Sequence, residues 1–138
     1  MRSHLALSII ANRYEVLKTL QGGMGIVHLC HDRQTDFPVA LKTFKPQYLS
    51  DRNIRDRFLR EGTMWIDIGK HPNIVRCHHI FSPDVDPTVY LVLEWIPQAE
   101  DKPNASLRSW LIDGKPLPFE QALLFALPIA YIVQGLVL

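Results

Sequence analysis

Apolar and polar positions change rhythm twice along this chain. Short alternating runs occupy Tyr14–Leu20, Ile26–His31 and Pro38–Phe44; a helical spacing takes over after Ser50; alternation returns from Ile74 to Trp95. A period of two is the mark of a strand with one face buried, and a period near 3.6 is the mark of a helix with one apolar side. The first three runs are joined by connections too short for a parallel crossover, so they predict a small antiparallel meander. A helix then opens at Ser50 or Asp51, either a fair N-cap, and stops at His71-Pro72, because the residue before proline is biased away from helix. Ile74–Phe81 and Thr88–Trp95 predict two more strands, joined by the turn from Ser82 to Pro87. Pro97–Ala105 is polar and irregular, Ser106–Ile112 predicts a short helix, and Pro118 suits the first turn of another that runs from Phe119 onward. The expected class is α+β: a five-stranded antiparallel sheet with one packed helix, followed by the first helices of a mostly helical part.

Within the first helix, Ile54, Phe58, Trp65 and Ile68 stand at offsets of 0, 4, 11 and 14 and share one face. Glu61, at offset 7, falls in the middle of that stripe. A carboxylate there is either drawn to a cation or costs several kcal/mol of uncompensated burial. Lys42 poses the converse problem, since it sits among Val39, Ala40 and Leu41, where a bare ammonium needs a partner. Arg52, Arg55, Arg57 and Arg60 decorate the other sides of the helix as solvated charges, or dock a phosphorylated segment. Gly62 costs the helix about 1 kcal/mol relative to alanine.

Between the first two strands lies the cluster Gly22, Gly23, Gly25. Glycines let a backbone turn sharply and approach a ligand closely, and such turns can aim N–H groups at phosphate. A glycine cluster equally suits a plain hairpin turn. An anionic ligand between this loop and Lys42 would satisfy both features.

Composition narrows the partners. A chain of 138 residues can bury a real core as one domain or part of one, and 47% hydrophobic content outweighs its ten prolines as an indicator of order. A formal net charge of +1 and a pI near 7.9 provide no global field for nucleic acid or an acidic membrane. Two cysteines are too few for a disulfide scaffold and point to a reduced, cytoplasmic setting. Leu5–Ile10 is too short for a signal-peptide core, which argues against secretion. His28, Cys30 and His31, with Cys77, His78 and His79, are metal-ligand types, but neither group has the paired spacing of a structural zinc site and neighbouring strand residues face opposite ways. No metal site is expected.

The run from Leu20 to Lys42, with G-G-M-G-I-V and V-A-L-K, resembles the glycine-rich loop and third-strand lysine of protein kinases, especially the bacterial serine/threonine type. The resemblance extends to His71-Pro72-Asn73-Ile74-Val75 and Leu91-Val92-Leu93-Glu94-Trp95-Ile96, and covers Arg13 to Ala130. It implies a nucleotide-binding lobe over 13–96 after a lead-in at 1–12, a hinge at 97–105, and the start of a helical lobe over 106–138. It implies that Lys42 meets the α- and β-phosphates of ATP and pairs with Glu61. Leu20, Gly22, Gly23 and Gly25 would cover the nucleotide, and Val27, Ala40 and Leu93 would pack on the adenine. The Glu94 carbonyl and Ile96 backbone groups would bond its edge. The loop departs from G-x-G-x-x-G: aligned on its last two glycines, it has Leu20 in the first glycine position. Trp65 stands four residues after Glu61, where the family carries a smaller residue.

Phosphoryl transfer in this family needs an aspartate in H-R-D-x-x-x-x-N and the D-F-G aspartate that holds magnesium, and neither motif follows Glu120. His31-Asp32-Arg33 and Asp36-Phe37-Pro38 echo them only superficially, since both precede Lys42. The expected function is therefore the ATP-binding portion of a serine/threonine kinase that is inactive alone, with magnesium and protein substrate engaged only by the complete protein. The alternative is a non-catalytic kinase-like module that regulates a partner. The chain is expected to end inside the first long helix of the larger lobe. From Ala122 to Leu138 that helix carries no charge, and Pro128 should kink it at a cost of about 3 kcal/mol. The uncharged stretch, broken by proline, falls short of a comfortable membrane span.

Overall fold

Ile9 and Ile10 open the sheet, ahead of the first strand that alternation predicts. They form β1 (Ile9–Ile10) and pair antiparallel with β2 (Tyr14–Gln21), Ile10 opposite Tyr14. Ala11 and Asn12, both in the left-handed region at φ 52° and 53°, make the turn, which the Arg13 N–H closes onto the Ile10 carbonyl at 3.1 Å. Two left-handed central residues match the right-handed strand twist of a tight hairpin. The computed structural model describes residues 8–23, 25–84, 87–103, 106–111 and 114–137, with side chains described as far as Ile129.

The sheet has six strands where five were expected, in the order β1-β2-β3-β4-β6-β5. β3 (Gly25–Asp32) and β4 (Phe37–Phe44) complete the predicted meander, and β5 (Cys77–Phe81) and β6 (Tyr90–Glu94) close the far side. β5 begins at Cys77 and not at Ile74, because the chain first makes a small turn bridged between His71 and Ile74. All neighbours are antiparallel, and β4 lies between β3 and β6. A bulge between Val16 and Lys18 shifts the β2–β3 register. Part of the predicted turn after β5, at Val85 and Asp86, lies outside the described residues.

The period of two sorts the sheet's side chains into two faces. One face lines the inside of the curl: Tyr14, Cys30, Val39, Leu41, Tyr90 and Val92 are buried together, with Ile10, Val16 and Phe81 packed against them. Phe81 stacks on Tyr14 at 5.3 Å and on Tyr90 at 5.2 Å between ring centroids. Each such pair adds about 0.5–1.5 kcal/mol beyond its buried area. At the rim Asp32 accepts from the Arg13 Nε at 2.8 Å and Nη2 at 2.7 Å, from the Gln34 N–H at 3.0 Å and from the Thr35 hydroxyl at 2.8 Å. These bonds, the Arg13 guanidinium foremost, hold its carboxyl well below the usual range.

The other face receives α1 (Arg52–Ile68). Asp51 is its N-cap, its carboxylate accepting from the N–H groups of Asn53 at 2.9 Å and Ile54 at 3.2 Å. Gly69 ends it at φ 71°, a left-handed position that favours glycine. Gly62 is the helix's buried residue: a Cβ there would stand 2.5 Å from Leu91 Cδ2 and 2.9 Å from Ile80 Cδ1. Its missing side chain therefore lets the helix backbone come down onto β5 and β6. Phe58 meets Phe44 edge-on at 5.3 Å.

The chain divides into two compact units, Met1–Lys70 with Arg76–Trp95, and His71–Val75 with Ile96–Leu138. The sheet and α1 make the first. In the second, the segment expected as a helix at Ser106–Ile112 is a single 3-10 turn, Leu107–Trp110, capped by the Ser106 side chain accepting from the Arg108 N–H at 3.2 Å; Ile112 lies outside the described residues. Trp110 packs edge-on against Phe125 at 5.5 Å and holds the Lys102 ammonium over its ring at 4.6 Å. α2 (Phe119–Val137) follows and runs unbroken through Pro128. No helix among the described residues is long and apolar enough to cross a membrane.

Candidate functional site

Strand register assembles one face of the sheet into a row. Leu20 pairs with Val27, Val27 with Lys42, and Lys42 with Leu91, while Ala40 pairs with Leu93 two residues further along. Leu20, Val27, Ala40, Lys42 and Leu93 thus share the face on which α1 packs. Val39, Leu41 and Val92 take the opposite one.

The glycine turn stands at one end of this row. The Gly22 N–H bonds the Gly25 carbonyl at 3.0 Å, so the hairpin is tight; Met24 lies outside the described residues. Neither Gly22 nor Gly23 adopts the left-handed backbone, and a Cβ at Gly23 would meet nothing within 4 Å. At Gly22 the nearest atom would be 4.0 Å away, and at Gly25 3.6 Å, both ordinary contacts. The protein's own packing does not demand glycine at these positions.

Gly25, Lys42 and Glu61 border one cavity of about 240 Å3, with Thr43, Phe44, Ile54, Phe58 and Arg57. Glu61 is exposed, which corrects the expectation that it lies within the buried stripe. Among the described residues no ion pair joins it to Lys42. The Lys42 ammonium instead stands over the Trp65 ring at 5.9 Å from its centroid. Arg57 is exposed, in keeping with a solvated charge, and also borders this cavity; its signal in the sequence is its place four residues before Glu61, on the same side of the helix. Glu94 ends β6 with its side chain on the opposite face, where Oε2 accepts from the Arg76 N–H at 3.1 Å. Ile96 is exposed and belongs to the second compact unit.

Three of the six metal-ligand residues, all histidines, have separate partners. His28 bonds the Thr19 hydroxyl at 2.8 Å, His31 pairs with Asp36 at 2.8 Å, and His79 bonds the Tyr14 hydroxyl at 3.2 Å. Cys30 and Cys77 are free, buried thiols, and burial pushes Cys30 up to about 12. No group of three or more such side chains gathers to hold a metal among the described residues. The echoes of catalytic motifs are likewise structural, with Asp32 buried under Arg13 and Asp36 in the β3–β4 turn at φ 61°.

This arrangement, a curled antiparallel sheet with one helix packed on the face that carries a lysine and a glycine turn, is that of the smaller lobe of protein kinases. The chain is a partial match to the protein kinase family, over the smaller-lobe region of the bacterial serine/threonine kinases. It is 30% identical over 115 residues to the serine/threonine-protein kinase PrkC of Bacillus subtilis, covering 83% of this chain and 16% of that protein. It is 39% identical over 71 residues to PknD of Chlamydia trachomatis, covering 51% of this chain and 8% of the relative. The fold matches a crystal structure of the PknI kinase domain of Mycobacterium tuberculosis with a TM-score of 0.66 at 23% identity, over 91% of this chain and 47% of that one. The chain thus spans less than half of each of these three proteins. No protein-family model matches it.

Proposed function

We propose that this chain is the ATP-binding part of a serine/threonine protein kinase, whose complete form transfers a phosphoryl group to protein hydroxyls in the cytoplasm. The observation that carries this reading is the cavity bordered at once by Gly25, Lys42 and Glu61. These residues are far apart in sequence and chemically unlike: the glycine backbone and the Lys42 ammonium suit a phosphate group, and the Glu61 carboxylate suits the ammonium. Lys42 meets the α- and β-phosphates, and Glu61 steadies the ammonium once the helix brings it within reach. The turn through Gly22, Gly23 and Gly25 lies over the phosphates, and the absence of side chains that the fold itself would tolerate is explained by the close approach of a ligand. Leu20, Val27, Ala40 and Leu93 supply an apolar slot for the base, whose edge meets the Glu94 carbonyl. Magnesium would be held by the D-F-G aspartate of the complete protein, a motif that these 138 residues do not contain.

One observation favours a second reading, a kinase-like module that binds and regulates a partner without catalysis. Lys42 rests over Trp65 and not against Glu61. The two readings separate on titration of the whole chain with a fluorescent ATP analogue, with and without magnesium, beside its Lys42→Met variant. Saturable binding that weakens at least about tenfold in the variant supports the nucleotide site. A folded chain that binds no nucleotide refutes it and leaves the regulatory module. Lys42-dependent transfer to a protein substrate by this chain alone would overturn the expectation that it is inactive by itself.

A further inference from the structure

Behind the row that carries Lys42, the inside of the curled sheet opens at one end into a cavity of about 490 Å3, within the range of small-molecule sites. Val39 and Val92, from the inner face, form its floor. Phe37, a residue 69% exposed, and Trp95 stand along its sides. Its charged groups do not balance. Arg13 and Asp32 neutralise each other through their two-pronged bond. His79 bonds the Tyr14 hydroxyl, and burial lowers its pKa; His78 sits beside it on β5. Glu94 is exposed at the cavity's edge and has no cation partner among the described residues, its side chain accepting from the Arg76 N–H. An apolar floor, two aromatic side chains and one exposed carboxylate without a cation partner suit a cation attached to a flat hydrophobic body.

We propose that this cavity, on the opposite face of the sheet from Lys42, binds a small organic ammonium ion with an aromatic body. The ammonium meets Glu94, and the ring lies on Val39 and Val92 between Phe37 and Trp95. Glu94 ends β6, so an occupant would touch the strand that also carries Leu93 on the other face. The site does not depend on the nucleotide reading.

The test is a titration of the whole 15N-labelled chain with 2-phenylethylammonium at about pH 7.5, where imidazoles are largely neutral, followed through amide and indole shifts. Saturable shifts are expected at the Val39 and Val92 amides and the Trp95 indole. 2-Phenylethanol, of the same shape without the charge, should bind at least about fivefold more weakly, and phenylacetate should not bind. Glu94→Gln keeps an oxygen for the Arg76 N–H and should remove the preference for the ammonium. Phe37→Ala, at an exposed position, should weaken amine and alcohol alike. Equal binding of amine and alcohol, an unchanged preference in Glu94→Gln, or no saturable shift at these residues in a chain whose spectrum shows it folded would each overturn the proposal.

Discussion

Asp32 is the most heavily bonded side chain in the structure's rim, and its replacement tests how much that rim contributes. Its carboxylate is 2% exposed and takes two bonds from Arg13, one from the Gln34 N–H and one from the Thr35 hydroxyl. Breaking a fully buried pair by removing one partner costs about 3–5 kcal/mol. Here the Arg13 side chain is 30% exposed and can recover water, and Gln34 and Thr35 are exposed as well. The expected loss for Asp32→Ala is therefore about 2–3 kcal/mol, read from urea unfolding followed by circular dichroism. A cycle with Arg13→Met should show a coupling of at least about 1 kcal/mol, since the second change costs little once the first is made. Arg13 also lies over the Tyr14 ring at 4.9 Å, so Arg13→Met alone should cost more than the pair requires. The same pair sets a pH dependence. Because the folded state depresses the Asp32 pKa, its contribution is complete above the unfolded value near 3.9 and is lost as the pH falls through the folded one. Asp32→Ala should therefore flatten the loss of stability below about pH 4. A loss under about 0.5 kcal/mol, or an acid limb that the substitution leaves unchanged, would refute the reasoning.

Gly62→Ala trades the poorest non-proline helix former for the best, a gain of about 1 kcal/mol, yet crowds Leu91 and Ile80; a net loss of about 1 kcal/mol is expected, and a gain in melting temperature would contradict the packing described. Cys30 and Cys77 should resist an aromatic disulfide reagent at about pH 8 in the folded chain and react once it is unfolded in guanidinium, because burial raises both thiols; rapid labelling of the folded chain would show the core to be open. Trp65→Leu removes a cation–π contact of about 0.5–1 kcal/mol that competes for Lys42, so nucleotide should bind about two- to fivefold more tightly; weaker binding would show that the indole supports the site.

The meander, the helix and its cap at Asp51 were legible because each rests on short-range pattern. β1 was not, since alanine at a left-handed turn position carries no hairpin signal. Glu61 was misplaced for an instructive reason. Counting apolar side chains put it at the centre of the buried stripe, but the line of closest approach runs through Gly62, which such a count omits. Shifting that line by one residue turns Glu61 outward. The row through Leu20, Val27 and Lys42 could be anticipated from spacing and family resemblance, whereas Arg57 and the contact between Lys42 and Trp65 depend on how the helix lies. The cavity at the mouth of the curl has no sequence signature, because four strands must close before its walls meet.

The order of the strands bears on how the chain is made. β4 finds its second neighbour not in β5 but in β6, and the Thr43 hydroxyl reaches a carbonyl 46 residues ahead at Val89. At about 5–20 residues per second of synthesis, the far edge of β4 waits some seconds for its partner while a ribosome is still attached. It is an edge of apolar residues, the kind that templates pairing between neighbouring nascent chains. Pro38 and Lys42 punctuate it, one lacking an N–H and the other bearing a charge, and both discourage such pairing. Before any ligand can reach Lys42, the same ammonium should already discourage pairing between neighbouring nascent chains.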